Sequence, residues 1–218
     1  MVGQEPLKLL ILVRFQVPQQ YNLPMKEIEI LIEVKSDKEA ALKALGKFEF
    51  VGMKEVIDVY FVSPFRKDLQ PDENGRLNNC YRIRSKDGKA SIAYKVDHFD
   101  GSEWSHSDEH ETSIGDFQTA LEINRHLGFE ELIRIDNKKY TFMAEDYEIV
   151  LEDVKDLGLF MEVEKLTEVP DNKVAETKEE IRSFLKNLNI KLGEEQNAGK
   201  PELMLRKKSP VNKQSNNE

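Results

Sequence analysis

Period-two alternation, repeated along most of the chain with few helical stretches between, constrains the fold more than any other feature. It is clearest in residues 25–36, MKEIEILIEVKS. There Glu27, Glu29, Leu31, Glu33 and Lys35 share one face of an extended ribbon, and Ile28, Ile30, Ile32 and Val34 share the other. Strand-like segments recur near 56–62, 79–85, 90–96, 109–113, 131–136, 138–143, 147–151 and 159–166. Asp87-Gly88 reads as a hairpin turn. Helical spacing is confined to about 37–48, opened by a Ser36–Glu39 capping box, to 116–127, stopped at Gly128, and to a segment opened by a Thr177–Glu180 box. A parallel doubly wound sheet needs more helices than this, and no glycine-rich nucleotide loop is present. The pattern predicts a mostly antiparallel α+β fold, an antiparallel sheet or barrel with flanking helices.

The 218 residues suffice for one substantial domain, which the patterning places at 25–192. Residues 1–24 form an extension of open status, because LLILVRF (9–15) is too short to span a bilayer and no cleavage site follows. Residues 193–218 are polar, with Gly and Pro, and read as a disordered tail. A net charge of -9 argues against nucleic acid as a partner. Cys80 is the single cysteine, so no intramolecular disulfide forms, and a reducing cytoplasm fits. No membrane partner is expected.

The strand faces carry unusual charge. Arg82 and Arg84 share a face, Lys95 stands between Tyr94 and Val96, and Glu109 and Glu111 share a face, as do Glu148 and Glu152, and Glu162 and Glu164. One reading is an ordinary wet sheet face. The other brings these faces together around an enclosed site, where carboxylates hold divalent cations and Arg and Lys hold phosphate oxygens. A dry, unpaired interior of this kind would be too costly, so it would need ligand, metal or water.

The order of motifs resembles the CYTH superfamily, named from the CyaB-like (class IV) adenylyl cyclases and thiamine triphosphatases. Over residues 25–190, Glu27 and Glu29 match the glutamates of its Glu-x-Glu-x-Lys strand, and Asp58-Val59-Tyr60-Phe61 its Asp-x-Tyr-Phe stretch. Arg82-Ile83-Arg84, Tyr94-Lys95, Glu109-His110-Glu111 and Leu157 to Glu164 match the motifs that follow. The resemblance implies a closed or nearly closed β-barrel, a tunnel that binds a triphosphate with Mg²⁺ or Mn²⁺. Carried over, Glu27 and Glu29 would be catalytic, Arg82, Arg84, Lys95 and Lys139 would bind phosphate, and Glu109, Glu111, Glu162 and Glu164 would hold metal. The implied substrate is ATP or another triphosphate compound, and a homodimer is compatible.

Departures from the pattern are specific. Leu31 stands where the motif lysine belongs, and Lys35, on the same face, lies about 13 Å farther along at ~3.3 Å per residue. Ser107 stands at a common arginine position, and Asn137-Lys138-Lys139 keeps only the second cation of a Lys-x-Arg pair. His106 and His110, four apart, suit zinc only on a helix and are expected at the surface, and Trp104 reads as a lid residue. The nearest functional resemblance is an adenylyl cyclase making cyclic AMP and pyrophosphate. A triphosphatase, a binder without turnover and a purely structural module remain the alternatives.

Overall fold

The computed structural model describes residues 25–208 apart from 102 and 168; the extension 1–24 and residues 209–218 of the tail lie outside the described residues. Ten strands make one antiparallel sheet: β1 (Met25–Glu27), β2 (Glu29–Val34), β3 (Glu49–Val62), β4 (Asn79–Lys86), β5 (Lys89–Asp100), β6 (Glu103–Ile114), β7 (Glu130–Ala144), β8 (Tyr147–Val154), β9 (Gly158–Lys165) and β10 (Leu192–Gln196). Their spatial order is β1-β6-β5-β4-β3-β7-β8-β9-β2-β10. Helices α1 (Lys38–Leu45), α2 (Phe117–His126), α3 (Val174–Lys186) and α4 (Lys200–Lys208) flank it. None of the described helices is long and apolar enough to cross a membrane.

Turn chemistry sets the hairpins. Asp87 and Gly88 both take positive φ, 50° and 75°, which matches the right-handed twist of β4 and β5. Residues 97–108 are not a loose connection: β5 and β6 extend to a turn at Gly101 (φ 60°). The two strands expected at 131–136 and 138–143 are one, because Asn137 stays in register between Val56 and Val154. The first helix is capped by Asp37, whose Oδ1 accepts from the Ala40 amide at 2.8 Å, while Ser36 Oγ accepts from the Lys191 amide. Thr177 is buried inside α3, which starts at Val174.

Alternation sorts the side chains of β2 as expected. Ile28, Ile30, Ile32 and Val34 pack outward with Ala41 and Leu45 of α1, with Ile181 and Leu185 of α3, and with Ile149, Leu151, Met161 and Val163. A second outer core places α2 through Leu121 on Val59, Phe61 and Ile83. The concave face is graded. One end is apolar, with Leu31, Tyr60, Ile133, Ile135, Val154 and Phe160 packed against Met204 of α4. Beyond it the face is charged.

Two expectations fail here. The sheet is not a closed or nearly closed barrel; it is an open, strongly curled half-barrel with edges 9 Å apart. The free side of β2 is taken by β10, through Leu31, Ile32 and Val34, and among the described residues β6, which pairs with β5 on one side, meets the three residues of β1 on the other. The segment from 193 is also not structureless within the described residues. It forms β10 and α4, which gain their order from β2 and the apolar end of the curl.

Candidate functional site

Glu27, Glu29, Arg82, Arg84, Lys95, Glu109, Glu111, Lys139, Glu162 and Glu164 all line one cavity of about 240 Å³ on the concave face. The ladders explain the convergence. Arg84 stands opposite Asp58, Lys95 opposite Glu109, Glu29 opposite Glu164, and Lys139 opposite Glu152. Because side chains repeat every second residue, each registered pair turns the same face inward.

One wall is built on β1, β4, β5 and β6. Lys95 contacts Glu27 and lies 3.8 Å from Glu29 and 3.7 Å from Glu109. Arg82 Nη2 donates to Glu109 Oε1 at 2.7 Å, while its Nε is buried and has no hydrogen-bond partner. Arg84 grips Asp58 through two bonds of 2.7 and 2.9 Å. Burial would raise the Asp58 carboxyl, but Arg84 and Arg82 hold it well below the usual range.

The opposite wall is built on β7, β8 and β9. Lys139 lies 2.7 Å from Glu152 and 3.5 Å from Glu162. Asn137 Nδ2 donates to Glu152 at 3.0 Å, so the position that lost its cation binds the buried carboxylate as an amide. A further cation reaches this wall from α4: Lys200 Nζ contacts Glu162 and donates to Glu152 at 3.1 Å.

Carboxylates split into two protonation classes. Burial, joined by a hydrogen bond to Glu109 and by repulsion, raises Glu27 to about 9 against the pull of Lys95. Burial and Glu162 raise Glu29, and burial and neighbouring glutamates raise Glu164 to about 7. Glu109 goes the other way: burial is outweighed by Arg82, by the bond with Glu27 and by Lys95, and it falls to about 2. Eight acidic and six basic side chains line the cavity. That acidic surplus, all oxygen donors, suits a hard divalent cation, and the guanidinium and ammonium groups among it suit an anion beside it.

Ser107 supplies no cation. It is buried, donates to Asp97 at 2.6 Å and accepts from the Trp104 indole at 3.2 Å, which anchors that residue at the cavity wall. His106 and His110 do not meet. His106 instead faces its ladder partner His98, their rings stacked at 4.5 Å, and with Asp108 they form a group whose donor atoms lie within 4.8 Å of one another. This group could hold a divalent metal. It lies on the side of the β5–β6 hairpin opposite Lys95, Asp97 and Glu109.

A model of the CYTH domain matches residues 25–196. The chain belongs to the CYTH family. This CYTH protein is 33% identical over 165 residues to "Putative adenylate cyclase MJ0240" of Methanocaldococcus jannaschii, covering 75% of this chain and 89% of that one. Its fold is similar to that of the PH1819 protein from Pyrococcus horikoshii OT3, with TM-score 0.69 and 24% identity over 83% of this chain and 99% of the other. It is also similar to HpAC1 from Hippeastrum, with TM-score 0.58 and 22% identity over 80% and 92% of the two chains; that protein is described as having a dominant triphosphatase activity. Sequence reasoning missed Lys200, whose polar surroundings concealed a buried position, and His98, which only strand register places beside His106.

Proposed function

We propose that the cavity binds the triphosphate of an organic or inorganic substrate together with Mg²⁺ or Mn²⁺, and that this CYTH protein hydrolyses it. The observation that carries the reading is the gathering of Arg82, Arg84, Lys95 and Lys139 with the glutamates in one cavity, where the buried Arg82 Nε–H lacks a hydrogen bond and lies 3.9 Å from Asp58. Arg82, Arg84, Lys95 and Lys139 would hold phosphate oxygens. Asp58 keeps the Arg84 fork in place, and Glu109 does so for Arg82.

Glu109, Glu111, Glu162 and Glu164 are the donors available to a divalent cation, which when bound would neutralise phosphate charge and polarise the bond to be broken. Glu27 and Glu29 carry the proton work. Once ionised, either can take the proton of a water whose oxygen bonds to phosphorus as the bond to the leaving phosphate breaks. The raised proton affinity of both residues suits a base.

A second reading, cyclisation of ATP, is supported by the 33% identity to a protein named as an adenylate cyclase. It requires an adenine pocket, whereas the lining is mainly charged, with Tyr60 and Trp104 its aromatic members. Product analysis with ATP, tripolyphosphate and thiamine triphosphate, with Mg²⁺, Mn²⁺ or chelator, separates the two. Metal-dependent orthophosphate supports hydrolysis. Cyclic AMP with pyrophosphate replaces it with the second reading, and no turnover overturns both.

A further inference from the structure

The β2–β9 ladder sets Leu31 directly opposite Glu162. A long cation at position 31 would therefore end beside that carboxylate. The ammonium that stands there belongs to Lys200, in the first turn of α4, outside the matched span 25–196. Lys200 is 7% exposed and touches both Glu162 and Glu152, and it lines the cavity with Gly199 and Pro201. Burial alone would discharge it, but Glu152 and Glu162 reverse that effect and keep it a cation well beyond the usual lysine range.

The helix is fixed, not merely close. Glu202 accepts from the Leu77 amide at 2.6 Å and from the Gly199 amide at 2.9 Å, pinning the first turn of α4 from both sides. One turn on, Met204 packs in the same apolar cluster as Leu31. A lysine at position 31 would put a charged chain under that contact. The apolar residue at 31 and the cation at 200 are thus two halves of one arrangement: Leu31 seats the helix, and the helix delivers the charge.

We infer that Lys200 replaces in space the cation that β2 lacks at Leu31, so that α4 is part of the triphosphate site and Lys200 is one of its phosphate-binding residues. The inference rests on the triphosphate reading above. In that reading Lys200 and Lys139 flank Glu152 and Glu162, and phosphate oxygens arriving in the cavity meet two ammonium groups on this wall instead of one.

Calorimetric titration of the full chain with tripolyphosphate in the presence of Mn²⁺ tests it. Lys200→Met should weaken binding by about tenfold or more, as expected for loss of a charge-assisted contact. Lys200→Arg should retain most of the affinity. Unchanged affinity in K200M overturns the inference, and tighter binding would make α4 a plug instead. Wild-type protein that binds no tripolyphosphate overturns the parent reading and this one with it. If K200M does not fold, wild-type protein carrying ¹³C-labelled lysine gives the answer. The Lys200 signal, assigned by its loss in K200R, should shift when tripolyphosphate is added, and an unmoved signal overturns the inference.

Discussion

Glu27 and Glu109 meet at one ammonium across the β1–β6 seam: Lys95 contacts Glu27 and lies 3.7 Å from Glu109. Burial raises Glu27 to about 9, while Arg82, foremost among the groups that oppose burial, takes Glu109 to about 2. Glu164 and Glu152, at about 7, repeat the raised pattern. For these three the folded value lies above the unfolded one. Their contribution to stability is complete below about pH 4.5 and is lost as pH rises through 7 and towards 9. Glu109 and Asp58 act oppositely, losing their contribution as pH falls below about 4. Thermal melts in chelator should peak in mildly acidic buffer and fall by roughly 5 °C or more by pH 9. A melting temperature that is flat or rising from pH 5 to 9 contradicts this.

Cation binding should release protons. Glu27, Glu29 and Glu164 are raised by burial before all else, and the charge of a Mn²⁺ bound beside them favours their ionised forms. Titrations at pH 7.5 in two buffers of different ionisation enthalpy should report about one proton or more released per ion. Equal heats in the two buffers would show that the carboxylates are already charged.

Asp58 is almost fully buried and paired in two bonds with Arg84. Asp58→Asn leaves that guanidinium without its counter-charge and should cost about 3 kcal/mol of stability, read from urea unfolding. A loss near zero would mean that Arg84 finds another carboxylate.

Arg82 lines the cavity with a planar guanidinium whose Nη2 donates to Glu109 and whose buried Nε makes no hydrogen bond. Arg82→Lys keeps the charge but loses the fork, so tripolyphosphate affinity should drop by about tenfold while the melting temperature moves little. Equal affinity would reduce Arg82 to a point charge.

The His98–His106–Asp108 group faces away from the glutamate cavity. Changing both histidines to alanine should leave the Mn²⁺ dependence of turnover unaltered. A lost dependence would move the functional cation to the hairpin.

Alternation made most of the cavity legible. Once β2, β4, β5, β6 and β9 were read as ribbons, Glu29, Arg82, Lys95, Glu109 and Glu162 each fell on the charged face of its strand; that these faces turn inward together was one of two readings and is seen in the curl of the sheet. What stayed hidden was set by contacts distant in sequence. Lys200 lies in a polar stretch whose few apolar residues, Leu203 to Leu205, become meaningful only against the apolar end of the curl. That the sheet stays open goes with β10 taking the edge of β2, which no local pattern announces. The role of Asn137 followed from Glu152 standing two positions from its ladder partner, again a matter of register.

The central claim is that the concave cavity takes a triphosphate with a divalent cation. Titration of the wild-type chain with tripolyphosphate, in Mn²⁺ and in chelator, tests it most directly. The account predicts saturable one-to-one binding that Mn²⁺ strengthens. Absence of binding in both conditions at millimolar ligand would contradict it.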